Sequence, residues 1–313
     1  MIRLRLFPVI LLLSTFVFAA PPGPEAAIKS DELRSHMLFL SDDLLEGRAT
    51  ATRGHEIATR YVAAQYSGMG LKPAGDNGTY FQTVHLRQAI LQTDKSSFSL
   101  EINGKSEPQK LEDDWYAGGS YLRNDSQFEG EVVFVGMGIS APELKHDDYA
   151  NVDVKGKIVA IMAGAPEAWE TTTRAYYSSG YLKGKFAAEH GAIGMISLWT
   201  PDFDPHYPWA AFLRNSKFPA FNVIDRNGKP KDSYEQICGS VAVPVAKSKQ
   251  LLSSAGLDID EVVKKATAGE YVSKALPARA QIHLVTEHKD ASSPNVVAML
   301  PGSDPKLKDE YVL

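Results

Sequence analysis

Between about Asp113 and Val245 the chain breaks into short apolar runs, "EVVFVG", "KIVAIMAG", "IGMISL" and "FPAFNVI", punctuated by glycine, proline and aspartate. Runs of this length bounded by turn residues read as strands. One helix interrupts them, predicted from Lys183 to His190, where Gly191 stops it and feeds directly into a strand from Ala192 to Leu198. The stretch is expected to form a separate, mainly β module.

The flanks have a different grain. From Ser30, read as a cap, Leu33, Met37, Leu40 and Leu44 recur at helical spacing, with Asp31 and Glu32 suited to the positive end of the dipole. A second helix carries Ile57, Ala58, Tyr61, Val62 and Met69 and meets Gly68, Gly70 and Pro73 as stop signals. After Gly75-Asp76-Asn77-Gly78, strands are predicted at Tyr80 to Leu86 and Phe98 to Ile102. Beyond the middle come two short helices, one capped by Ser248 and ended by Gly256, the other from Asp260 to Ala268 and ended by Gly269. A strand at Gln281 to Val285 then leads into two closing strands, Val296 to Leu300 and Tyr311 to Leu313. An α-then-β opening, a β-rich interruption and a β return imply an α/β chain with one domain inserted into another. The last strand stops after a few apolar residues, so the polypeptide is expected to continue past Leu313.

At the other end, Arg3 and Arg5 precede an apolar run from Leu6 to Ala20 and then prolines, the layout of a secretory signal. The run is shorter than the roughly twenty residues a spanning helix needs. Small residues at Val17 and Ala19 place the cut after Ala19, giving a secreted or periplasmic protein without a stable membrane anchor. The single Cys238 offers no intrachain disulfide and is expected to be a small buried hydrophobe, the alternative being a partner in sequence not present here. The net charge is −5 and the basic residues form no stripe, which argues against nucleic acid as a partner.

Chemistry is sparse. No nucleophile elbow, phosphate loop, dinucleotide fingerprint or His-Glu-x-x-His helix occurs. Two clusters invite a metal reading: His146-Asp147-Asp148, expected in a solvated polar loop, and Asp202, Asp204 and His206 in "DFDPHYPW", which read as a loop shaped by Pro205 and Pro208. Sequons at Asn77 and Asn124 read as turn chemistry or as glycan acceptors. Trp115, Trp169, Trp199 and Trp209, with the tyrosines of "RAYYSSGY", read as core or as a binding face.

The stretch "LSDDLLEGRATATRGHEIATRYVAAQYSGMGLKPAGDNGTYFQTV" resembles the opening of secreted zinc aminopeptidases, the family of aminopeptidase Y and bacterial leucyl aminopeptidases. "YANVDVKGKIVAIMAG", "KGKFAAEHGAIGMISL" and "FPAFNV" resemble the protease-associated domain that interrupts these enzymes, and "SPNVVAMLPGSDPKLKDEYVL" resembles the return to the catalytic sheet. The resemblance implies an incomplete zinc-exopeptidase α/β domain interrupted by a β-rich protease-associated domain: signal at 1–19, first peptidase part at 20–112, protease-associated domain at 113–245, and truncated return at 246–313. It also implies a hydrolase acting on amino-terminal residues of peptides through two zinc ions, a glutamate serving as base. The family's first ligand pair, His-x-Asp, lies past the strand that here reaches Leu313. No catalytic or metal residue is therefore carried onto this sequence, His55, His146 and His206 included, and this chain is expected to bind no zinc and to be inactive alone. Glu46, Gly47 and Arg48 are the most characteristic matched positions, with a structural role implied and Arg48 paired to a carboxylate or to loop carbonyls. The transferrin-receptor branch of the same superfamily keeps the fold without zinc chemistry, so a non-catalytic, peptide-binding protein is the alternative.

Overall fold

The computed structural model describes residues 23, 27–231 and 233–312. The signal segment, the cut after Ala19 and Leu313 lie outside the described residues. The chain divides into two compact units, Met1–Met69 and Gly70–Leu313.

In the first unit, α1 (Ser30–Leu40) is followed by a 3-10 turn at Asp43–Arg48 and by α2 (Arg53–Gly68). The cap of α1 is Lys29, not Ser30, because Lys29 holds the extended backbone (φ −108°, ψ 132°) while Ser30 is already helical. Thr52 caps α2, its hydroxyl oxygen accepting from the His55 N–H at 3.4 Å. Phe39 of α1 stacks on Tyr61 of α2 with ring centroids 4.3 Å apart, and His36 Nδ1 lies 2.8 Å from the Tyr61 hydroxyl.

The second unit contains β1 (Lys72–Pro73), β2 (Phe81–Leu91), β3 (Ser97–Ile102), β4 (Lys105–Pro108), β5 (Asp125–Phe134), β6 (Ser140–Ala141), β7 (His146–Asp147) and β8 (Ile158–Met162). Helices α3 (Thr171–Tyr177) and α4 (Gly180–Glu189) lead to β9 (Gly194–Leu198), then α5 (Trp209–Asn215), β10 (Phe221–Val223) and β11 (Gly239–Val243). The remainder is α6 (Val245–Ser254), α7 (Ile259–Thr267), β12 (Lys274–Val296) and β13 (Ala298–Met299). Among the described residues, nine strands form one mixed sheet in the order β10-β2-β12-β5-β8-β9-β11, with β3 attached to β12 and β4 to β3. The chain is of the mixed α/β class: β5, β8, β9 and β11 run parallel, and β12 is antiparallel to β2, β3 and β5.

The 23-residue β12 organises the unit. Its first half alternates buried and exposed side chains, as a strand with one solvated face does. That half pairs with β5, and residues 286–296 pair with β2, Phe81 lying opposite Val296. A single apolar core results. Phe98 and Leu100 of β3, Leu251 of α6, Ile259 of α7 and Ile282 of β12 pack in it with Val132, Ile158 and Ile196. Segments on both sides of the boundaries expected at 112/113 and 245/246 thus share one core with the residues between them.

Several local expectations need correction. Helices α3 and α5 are present in addition to the one helix expected in this stretch. Pro244 caps α6; Ser248 is buried inside its first turn, where its backbone N–H already bonds the Pro244 carbonyl at 3.0 Å. The first closing strand shrinks to Ala298–Met299, paired with Lys72–Pro73. Tyr311 and Val312 form no strand and are exposed. The preceding residues fold on themselves, the Lys306 and Leu307 N–H groups donating to Asp304 Oδ1 at 2.7 and 3.2 Å.

Candidate functional site

The matched motif in the first unit is a tight left-handed corner. Glu46, Gly47 and Arg48 take φ of 51°, 77° and 54°, a region that only glycine enters without strain. Asp42 holds the entry, its Oδ1 accepting from the Leu44 N–H at 2.9 Å, and Leu45 turns inward and is buried. A Cβ on Gly54 would overlap the Leu45 carbonyl oxygen and lie 2.7 Å from its carbon. The two motif glycines therefore have separate reasons, one conformational and one steric. Arg48 is half-buried and makes no ion pair among the described residues. A cavity of about 470 Å³ lies beside this corner, lined by Phe39, Asp42, Leu45, Glu46, Arg53 and Ile57 among others.

The two candidate metal clusters part company in the structure. His146 and Asp148 are buried, not solvated, because the β6–β7 hairpin folds them inward. His146 Nε2 lies 3.2 Å from Asp148 Oδ1, while Asp148 Oδ2 accepts the Ile139 N–H at 3.0 Å. Trp169 and Tyr271 close around the imidazole, with centroids 5.4 and 5.6 Å away. Asp202 and His206 are exposed, and Asp204 Oδ1 accepts the Trp209 N–H at 3.0 Å at the start of α5. Among the described residues no three His, Cys, Asp or Glu side chains converge as a metal site. The donor sets of the described residues do not fit a zinc ion, which takes three or four convergent protein ligands.

Lys183 was missed in the sequence. It sits on the buried face of α4 beside Leu182, Phe186 and Ala187, and its Nζ donates to the carbonyls of Met137, Met162 (3.3 Å) and Gly164 (2.8 Å). These carbonyls lie at or just past the carboxyl ends of the parallel strands β5 and β8. Burial pushes the ammonium down to about 7, and Asp148 acts in the opposite direction. The only signal in the sequence was a lysine at a position whose helical neighbours are apolar.

The aromatic residues resolve both ways. Trp115 is core, edge-on to Phe98, with its Nε1–H donating to the Gln109 carbonyl at 3.1 Å. Trp199 is buried too, but its ring and that of Phe212, 4.8 Å apart, form one wall of a cavity of about 420 Å³. Tyr116, Tyr181 and Tyr234 also line this cavity, together with glycines and serines of the 116–122 and 239–242 segments. No described residue lining it carries a carboxylate, ammonium, guanidinium or imidazole. Cys238, half-buried, lies next to it rather than deep in the core. Asn124 is tied inward, its Nδ2–H donating to the Thr286 carbonyl at 3.1 Å, whereas Asn77 sits in a turn at φ 52°.

The cavity opens where a ladder forks. Tyr116 and Ala242 exchange two backbone hydrogen bonds, of 3.0 and 2.7 Å, as an antiparallel bridge on the outer edge of β11. The arm then leaves that edge. The Ser120 N–H donates to Thr286 Oγ1 at 3.1 Å, and His288 Nε2–H donates to the Ser120 carbonyl at 2.7 Å, so the arm is fastened to β12. Gly119 permits the crossing, since a Cβ there would lie 2.7 Å from the Ala89 carbonyl carbon.

No family model matches the chain, and no curated protein does. Among solved structures it is similar to an aminopeptidase from Aneurinibacillus sp. strain AM-1, at 19% identity and a TM-score of 0.41. The match covers 89% of this chain and 50% of that one, so the chain spans about half the length of the solved relative.

Proposed function

We propose that this chain is the non-catalytic part of an exported zinc-dependent aminopeptidase, with the amino-terminal stretch of the peptidase in the first unit and a protease-associated type of module within the second. The observation that supports this reading is the geometry of the matched motif. Gly47 stands at a positive φ and Gly54 against the Leu45 carbonyl, so the spacing that carries the resemblance is one the backbone requires. In such enzymes metal-bound water supplies the nucleophile. No residue described in this chain is assigned to that step.

Export, zinc in the whole enzyme and peptide substrates are parts of the same proposal. The purified chain is expected to carry far less than one zinc per molecule by elemental analysis and to leave aminoacyl nitroanilides uncleaved. The full-length gene product is expected to cleave them and to lose activity with a chelator. Stoichiometric zinc in the chain, abolished by changing Asp202, Asp204 or His206, overturns the assignment. One observation favours a second reading, a peptide-binding protein without catalysis: a cavity whose described lining is uncharged opens on an unfinished strand edge.

A further inference from the structure

We propose that the fork beside β11 binds an extended, uncharged peptide segment, whose main chain continues the ladder that stops at Tyr116 and Ala242. This rests on the second reading above and not on the zinc reading. In an antiparallel ladder hydrogen-bonded pairs recur every second residue, so the pair after Tyr116 and Ala242 would be Gly118 and Ser240. No backbone hydrogen bond joins those two, and both are exposed and line the cavity. Because Ala242 turns its N–H and C=O to the outer edge, Ser240, two residues earlier, does the same.

The gap is built rather than frayed. Thr286 and His288 hold the departing arm on β12 and Gly119 sits close against Ala89 of β2, so the arm does not swing back to close the edge. An unpaired strand edge recruits another strand, and main-chain pairing supplies affinity in such additions while neighbouring pockets select side chains. Here the described lining offers the rings of Trp199, Phe212, Tyr181 and Tyr234 and serine hydroxyls, and none of those described residues carries a countercharge. Burying an unpaired charge there is strongly unfavourable. Charged side chains and free termini are therefore excluded, leaving an internal stretch of neutral residues. The volume of about 420 Å³ falls in the range of small-ligand sites and limits the buried part to a few residues.

The test uses the purified chain, labelled with nitrogen-15, and the capped peptide acetyl-Val-Ser-Val-Ser-Val-amide. Saturable shifts are expected at the Ser240 and Gly118 amides. The same peptide N-methylated at alternate amides, or carrying glutamate for serine, is expected to bind at least tenfold more weakly. Ser240→Pro removes the outward donor at an edge, where proline is tolerated, and should weaken binding at least tenfold without moving the unfolding midpoint. No saturable shift at millimolar peptide, equal binding of the N-methylated peptide, or shifts confined to residues away from the fork overturn the proposal. So does maltose occupying the site when the peptide does not. Zinc content and peptide cleavage are separate readouts, so a failure here leaves the aminopeptidase reading standing.

Discussion

The Lys183 ammonium lies 2.8 Å from the Gly164 carbonyl oxygen, linking α4 to the chain just past β8. It also donates to Met137 and Met162, so three carbonyls at the ends of neighbouring parallel strands share one buried cation. Replacing Lys183 by Met preserves volume but leaves those acceptors unfilled. The expected cost is about 1–3 kcal/mol, the penalty for stranding buried polar groups, read by urea unfolding.

The same lysine sets a pH dependence. Its folded value of about 7 lies below the unfolded value of about 10.4. Between the two, the unfolded chain binds more protons than the folded one, so stability rises with pH across that window. Below about 7 both states are charged and the contribution is flat. Unfolding midpoints measured from pH 6 to 10 should show this slope in the parent chain and not in Lys183→Met; equal slopes would refute the assignment.

In the first unit, Gly54→Ala should destabilise although alanine favours a helix by about 1 kcal/mol over glycine. The new methyl meets the Leu45 carbonyl, and overpacking of this kind costs about 1–3 kcal/mol. Faster amide exchange in α2 is the expected readout. Protection equal to or greater than that of the parent would mean the corner yields freely.

Arg87 and Asp290 form a two-pronged pair across β2 and β12, at 2.8 and 3.1 Å. The hydrogen bond from Arg87 holds the Asp290 carboxyl below its ordinary value. A depressed carboxylate stabilises above its unfolded value near 3.9 and loses that contribution as pH falls through the folded value. Asp290 is half-exposed, so Asp290→Asn should cost under about 1 kcal/mol at neutral pH. The difference from the parent should shrink as pH falls from the unfolded value through the lower folded one.

Limited proteolysis should report the shared core. Residues 301–312 are exposed and outside the sheet, so early cuts are expected there. The resistant product should keep β12 and β2 together, because Phe81 pairs with Val296. A stable product confined to 113–245 would contradict this.

Local order was legible from the sequence wherever nearest neighbours decide it. The glycine stops after α4 and α7 appear as expected, at Gly191 and Gly269 with φ of 82° each, because a left-handed residue ends a helix whatever surrounds it. The strand at Ile158–Met162 was visible as an apolar run, since it is buried on both faces. Helix caps were less secure: Ser30 and Ser248 have the right side chains, but the backbone turns helical one residue after Lys29 and after Pro244 instead.

Tertiary structure decided the rest. That β12 serves β2, β3 and β5 along its length depends on partners as much as two hundred residues away in sequence, beyond any periodicity within the strand. The burial of His146, Asp148 and Lys183 was equally hidden: a polar side chain in sequence reads as solvated until the fold supplies its hydrogen-bond partners. The fork at Tyr116 is the clearest case. Its walls come from segments as far apart in sequence as 116–122, 180–184 and 233–242, which no local pattern brings together. Only the ties from Thr286 and His288 to Ser120 determine that the arm turns away and leaves the edge of β11 open.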